Sequence, residues 1–239
     1  MRKKLVFSAG LFIAIAWYAH SINLFVGVEG GYTNNQLNTS TGYRAFTRYN
    51  NKSGFMAGIP VLVTFNEQFA VGCGLRYIQK NYRYERDLLD GFPMYSDYTN
   101  GFLQFPLFGD FSVGAYNWRI FFNLGGTLGI WLHSNRKGQL VGMRTNPYDP
   151  DDLPVHQFNE RVQFNSTRDN RFEATLFAGF GFRYTIGLFT PFITAQYHYG
   201  LTDLQKNYMI GQVPRYNNTI TVQTGVMFGG FSKIFGRSR

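Results

Sequence analysis

The sequence predicts an all-β fold: an eight-stranded antiparallel up-and-down transmembrane β-barrel preceded by a cleaved signal peptide. Three observations carry that expectation. Apolar residues recur with period 2 along eight segments, the connections between them alternate strictly between short and long, and charge is scarce while aromatic residues and glycine abound.

Composition sets the frame. The 239 residues suffice for one barrel or one domain with a large core. Charged residues are only 15% of the chain against 18% aromatic, with 27 glycines and 8 prolines, whereas a soluble domain is ordinarily about a quarter charged. The mean hydropathy of -0.20 excludes a bundle of transmembrane helices. A wall in which only every second residue meets lipid reconciles the two facts.

The single long apolar run lies at the start. Arg2, Lys3 and Lys4 form a basic n-region, residues 5–18 an apolar h-region, and Ala19, His20 and Ser21 a small-x-small cleavage site. The run is shorter than the ~20 residues a spanning helix needs, which argues against an uncleaved anchor. Losing those three cations lowers the net charge from +9 to +6. The expected organisation is a signal peptide at 1–21, a barrel at 22–228 and a short basic tail at 229–239 containing Lys233, Arg237 and Arg239. The lone Cys73 has no partner for an internal disulfide and no metal-ligand spacing, and reads as a small apolar residue.

The eight segments are 22–32, 54–65, 69–80, 102–111, 120–132, 172–184, 190–200 and 219–228. In the third, Phe69, Val71, Cys73, Leu75 and Tyr77 oppose Ala70, Gly72, Gly74, Arg76 and Lys80; in the sixth, Ala174, Leu176, Ala178, Phe180 and Phe182 oppose Glu173, Thr175, Gly179, Gly181 and Arg183. Their lengths suit tilted strands of ~9–11 residues crossing a bilayer. Residues 66–68, 112–118 and 186–188 connect them tightly, whereas 33–53, 81–97, 133–171 and 202–218 are long and polar. A soluble β-sandwich offers no reason for that sorting; a barrel with tight periplasmic turns, long external loops and both termini inside does. Glycines 27, 72, 74, 125, 129, 179, 181 and 225 share the polar face, where a narrow interior is crowded. Pro60 and Pro106 fall inside segments, and are expected at bulges or near strand ends.

Three stretches carry a family resemblance. Phe102-Leu103-Gln104-Phe105-Pro106-Leu107, Ala178-Gly179-Phe180-Gly181-Phe182 and Gln196-Tyr197-His198-Tyr199-Gly200-Leu201-Thr202-Asp203-Leu204 resemble successive strands of the PorT-like small outer-membrane barrels of Bacteroidota, whose namesake belongs to the type IX secretion system. The resemblance runs through the mature chain in order and spacing. It implies a Gram-negative outer membrane, insertion by the barrel assembly machinery, and a role in protein secretion or gliding machinery. The basic tail after Phe228 departs from the terminal aromatic that such barrels carry.

Glu29, Arg76, Lys80, Asp110, Glu173, Arg183 and His198 fall on the interior face. Alternating signs in a narrow barrel point to a salt-bridge plug, since unpaired charge there is costly; the alternative is a narrow ion path or gated pore. An open aqueous channel needs ~16 or more strands. Catalysis would need a nucleophile beside a base and an orienting acid; His198 and Glu173 lie on neighbouring strands, but no serine accompanies them. No enzyme activity, cofactor, metal or nucleic-acid partner is expected. Asp149, Asp151 and Asp152 offer carboxylates without the spacing of a calcium loop. The acid-free run with Tyr43, Arg44, Phe46, Arg48, Tyr49 and Lys52 is a candidate contact for acidic lipopolysaccharide or a protein partner, against the plainer reading of a solvated loop. Tyr32, Tyr77, Trp118, Trp131 and Tyr184 are expected in interfacial girdles. The functional expectation is a structural or partner-binding outer-membrane component working through its external loops; the alternative is a small, mostly closed porin-like channel.

Overall fold

A computed structural model describes residues 23–39, 46–86, 94–115, 117–141, 155–206 and 212–229. The expected signal peptide, nearly all of the basic tail, and Tyr43 and Arg44 lie outside the described residues. Ten strands are present: β1 (Asn23–Thr39), β2 (Thr47–Thr64), β3 (Phe69–Gln79), β4 (Tyr82–Arg86), β5 (Met94–Ala115), β6 (Trp118–Val141), β7 (Val155–Arg161), β8 (Phe172–Tyr184), β9 (Phe189–Gly200) and β10 (Arg215–Gly229). Eight of them close a ring through antiparallel ladders in the order β1-β2-β3-β5-β6-β8-β9-β10 and back to β1. This is the eight-stranded up-and-down barrel that the alternation predicts.

The other two strands are extensions of the ring. β4 prolongs β3 beyond Lys80 and Asn81, between β2 and β5. β7 pairs only with β6 among the described strands. The ring strands also outrun the eight segments. Residues 33–39, 47–53, 94–97, 133–141 and 215–218, expected in long loops, are strand. The cause is physical: once both faces of a ladder meet polar surroundings, hydrophobic alternation disappears although backbone pairing continues.

Parity sorts the side chains. Val28, Phe55, Ile59, Leu107, Leu124, Leu128, Phe180 and Ile193 stand exposed on the outer wall, while Gln104, Asn123, Thr127, Thr194 and Thr221 are buried within. The β6 stretch from Ile120 to Ile130 is roughly 34 Å long at ~3.4 Å per residue, or about 26 Å after a ~40° tilt, close to the ~25 Å apolar band of such barrels. Just past it the ring opens. β8 last pairs with β6 at Phe172 and Ile130, and the next ring contact is Trp131 N donating to Arg171 O. A register shift opposite Gly101 and Phe102 makes Leu132 an extra, bulged residue there.

The prolines correct the sequence reading: neither lies at a bulge or a strand end. The β1–β2 ladder lapses opposite Pro60, between the pairs Val26/Val61 and Glu29/Gly58, and resumes in the same register. The β3–β5 ladder lapses in the same way opposite Pro106, between Cys73/Leu107 and Arg76/Gln104. Each proline keeps its neighbour on the other side, Gly74 and Thr127 respectively. Eight closed ladders hold the register, so two missing donors need no local distortion.

At the tight-turn end, the Asn66 side-chain oxygen accepts from the backbone N–H of Gln68 and of Phe69, 2.9 and 2.7 Å away. Arg119 clamps the same turn through the Glu67 carbonyl and carboxylate. Gly187, at φ +60°, lets the chain reverse between Ile186 and Phe189. Inside the barrel, Gly72 lies against the Phe108 ring so closely that a Cβ would stand 2.1 Å from it. Gly72→Leu is therefore expected to lower unfolding stability by about 1–3 kcal/mol in urea titrations of the refolded barrel, whereas Leu107→Ile on the outer wall leaves it nearly unchanged.

Candidate functional site: a closed lumen and a protruding sheet

The interior is stacked rather than hollow. Near the tight turns, Leu62, Ala70, Phe121, Phe192 and Met227 form an apolar layer completed by Phe25 and Phe108. Towards the long-loop end, Leu37, Met56, Ile78, Tyr82, Phe102, Trp131 and Leu204 form a second one, with Tyr49, Tyr98 and Phe164 against it. Phe102 and Trp131 stack there with ring centroids 5.6 Å apart. Trp131 is thus a plug residue and not part of an outer girdle; Tyr32, Trp118 and Tyr184 do stand exposed on the outer wall. Trp131 sits between outward Ile130 and Leu132, so its parity already pointed inward.

All seven interior ionisable residues point into the lumen. Arg76 Nε lies 3.5 Å from Glu29 Oε1. Lys80 Nζ lies 2.8 Å from Glu173 Oε2. Arg183 pairs with Asp110 and lies over the Phe121 ring. The Glu173 carboxylate also accepts from Gln104 Nε2 at 3.0 Å and Asn217 Nδ2 at 3.1 Å, so β5, β10 and the junction between β3 and β4 are tied to one acid. His198 is fully buried and stacks on Phe177 at 5.1 Å, but its ring nitrogens have no hydrogen-bond partner in the protein. It does not bond to Glu173, and no serine hydroxyl hydrogen-bonds to it. Between the layers a cavity bordered by Arg76, Asp110, Asn123 and Gln196 is about 40 Å³, close to the ~30 Å³ share of one water, and a wider one at the tight-turn mouth, bordered by Leu62, Ser112, Arg183 and Thr190, is about 330 Å³. Among the described residues no group of His, Cys, Asp and Glu is arranged to hold a metal ion.

Beyond Trp131 the tips of β2, β4, β5, β6 and β7 continue as a five-stranded sheet, which rests on the upper apolar layer through Tyr49, Tyr82 and Tyr98. One face repeats aromatic and charged rows. Asn51, Tyr82, Tyr98, Arg136 and Glu160 lie side by side across the strands, and so do Tyr49, Tyr84, Ser96, Gly138 and Phe158. Tyr82 stacks on Tyr98 at 4.7 Å, Tyr49 meets Tyr84 edge-on at 5.4 Å, and Arg136 lies over Phe158 while pairing with Glu160. The other face is an ionic net. Arg83 grips both Asp97 oxygens at 2.6 and 2.9 Å, Lys52 reaches Asp97 at 2.9 Å, and Asn50 donates to Glu85 at 2.7 Å. Arg48 and Lys52 belong to this charged face, whereas Tyr49 packs on the opposite one. Arg48 and Lys52 therefore do not share one surface with Tyr49, and Tyr43 and Arg44 lie outside the described residues. Sequence reading took this region for loop and missed the sheet.

The hydrogen bonds from Arg83, helped by Lys52, hold the Asp97 carboxyl below its ordinary range against the opposing effect of burial. A depressed folded-state value means that this stabilisation is complete above the ordinary aspartate pKa, about 3.9, and is lost as pH falls through the lower folded value.

A ring of antiparallel strands with an apolar outer wall and a polar, ion-paired interior defines a membrane-spanning β-barrel. The chain belongs to the outer membrane protein beta-barrel domain family, whose model matches residues 19–206. No curated protein matches it significantly. Three solved structures are distantly similar. Ail, the attachment invasion locus protein of Yersinia pestis, is 14% identical with a TM-score of 0.39, over 87% of this chain and 99% of Ail. Neisserial surface protein A is 14% identical with a TM-score of 0.39, over 85% and 96%. The outer membrane protease OmpT of Escherichia coli is 9% identical with a TM-score of 0.48, over 89% and 97%. Family membership places the protein in the outer membrane.

Two outcomes follow from the site. Glu173→Ala leaves Lys80 buried without its counter-ion and is expected to destabilise the barrel by about 3–5 kcal/mol, while Lys80→Met with Glu173→Leu recovers most of the loss; urea unfolding followed by Trp fluorescence measures both. Asp97→Asn should speed amide exchange in β4 at neutral pH by a factor reflecting at most about 1 kcal/mol, with the difference from wild type shrinking below pH ~4.

Proposed function

We propose that the protein is a membrane-anchored scaffold whose protruding sheet meets a protein partner outside the cell, as a structural or partner-binding component of a secretion or gliding assembly. One observation carries the reading: two apolar layers and three ion pairs obstruct the lumen, while the sheet beyond it presents an exposed ionic face and the free edge of β7. A solute path would have to displace two apolar layers and separate three ion pairs. Paired charges attract by roughly 4 kcal/mol at 4 Å for an effective dielectric constant of 20. The proposal includes the signal peptide at 1–21, periplasmic termini and turns, and an extracellular sheet, which the asymmetry between tight turns and long connections supports. It also gives Arg48 and Lys52, on the ionic face, contact with the acidic groups of neighbouring lipopolysaccharide. The PorT-like resemblance supports assignment to type IX secretion in Bacteroidota.

The test is a deletion of residues 138–163, which trims β6 and removes β7 but leaves the ring intact. The shortened protein should still shift mobility on boiling in SDS, and should lose both partner co-purification and the associated secretion phenotype. Retained secretion and pull-downs, together with clear single-channel conductance of the wild type in planar bilayers, would favour a porin-like channel instead.

A further inference from the structure

We infer that the free side of β7 is a strand-docking edge for an extended, acidic segment of the partner protein; the inference rests on the partner-binding reading above. β7 is the described strand with a neighbour on one side only. Its ladder with β6 sets which backbone groups are free. Val162 N donates to Ser134 O at 2.9 Å, in register with the pairs that follow. Antiparallel alternation then turns the N–H and C=O of His156, Phe158 and Glu160 towards β6, and those of Gln157, Asn159 and Arg161 away from it.

Soluble sheets blunt such an edge with proline, a bulge, inward charge or a covering loop. β7 has no proline, keeps one unbroken register over all seven residues, and is exposed along nearly its whole length. An unpaired edge is inadmissible in hydrocarbon, so β7 must stand in water above the point where β8 leaves β6. Chemistry narrows the occupant. Lys137, beside Asn159 in the ladder, and Arg161 are exposed cations on the same face, and neither has an acid partner among the described residues. An added strand carrying Glu or Asp at alternate positions would neutralise both while its backbone completes the ladder. A second copy in the same membrane fits poorly. With strands tilted ~40°, two β7 edges related by a two-fold axis along the membrane normal would cross at about 80°, far from the ~20–25° between paired strands.

The experiment uses the full-length protein in nanodiscs and a short fluorescent peptide alternating glutamate with valine. Fluorescence anisotropy should show saturable binding. Asn159→Pro should weaken it by about tenfold or more, because proline removes an outward donor without touching the β6 ladder, and an edge position tolerates it. Arg161→Glu should also weaken it and shift preference to a lysine–valine peptide. Absent binding, or equal binding by Asn159→Pro, overturns the inference. So does slow amide exchange at Gln157, Asn159 and Arg161 in the protein alone, since the chain would then cover its own edge. If Asn159→Pro retains partner capture while deletion of 138–163 abolishes it, the edge fails and the partner reading stands; if both variants retain capture, both fail.

Discussion

The structure follows from the cost of an unpaired backbone group in hydrocarbon. Each such N–H or C=O costs several kcal/mol, so strands that cross a bilayer must close on one another. Closure in turn fixes the register of every ladder, and register fixes which side chains meet lipid. The two prolines show how strongly the ring is determined. Pro60 and Pro106 each delete a donor inside the apolar band, yet pairing resumes on both sides without a shift. Where the constraint ends, the ring opens: past Ile130, β6 gives up β8 and takes β7 instead.

Closing eight strands leaves an interior just wide enough for side chains, and the packing problem becomes one of volume and charge together. Rings laid flat against glycine fill the space, as Phe108 does on Gly72 and Phe192 on Gly225. Charged groups are admitted only in satisfied sets. Glu173 accepts from Lys80, Gln104 and Asn217 at once, and Asn217 is held in turn by Asn35 at 3.1 Å. Such a network binds strands that are far apart in sequence, and it fills the path that a solute would take. Outside the bilayer the same backbone ladder continues under different rules, with tyrosine stacking on one face and ion pairs on the other.

Much of this was legible in the sequence because period 2 and a two-phase environment leave a direct trace. Leu124, Leu128 and Ile130 against Asn123, Thr127 and Gly129 declare inside and outside without ambiguity. Loop lengths then order the strands. The apolar plugs were also within reach: Met56, Ile78, Phe102 and Phe192 break the polar pattern of the inward face, and each belongs to an interior layer. The protruding sheet was not legible. In residues 47–53, 82–86 and 155–161 both faces carry polar or mixed side chains, so the hydrophobic period has nothing to report, and their pairing is set by ladders begun in the barrel. The side that Tyr49 takes, opposite Arg48, depends on the register with β4 and could not be read from a loop.

We place the hydrocarbon boundary where β8 leaves β6 and the ring opens. Spin labels at the outward β6 positions Phe122, Leu124, Leu128, Ile130, Asn135 and Lys137, in protein reconstituted in bilayers, test it directly through collision with oxygen and with a water-soluble nickel complex. Relaxation should be oxygen-dominated through Ile130 and nickel-dominated at Asn135 and Lys137. Oxygen-dominated relaxation at Lys137 would place the unpaired β7 edge in lipid and contradict it.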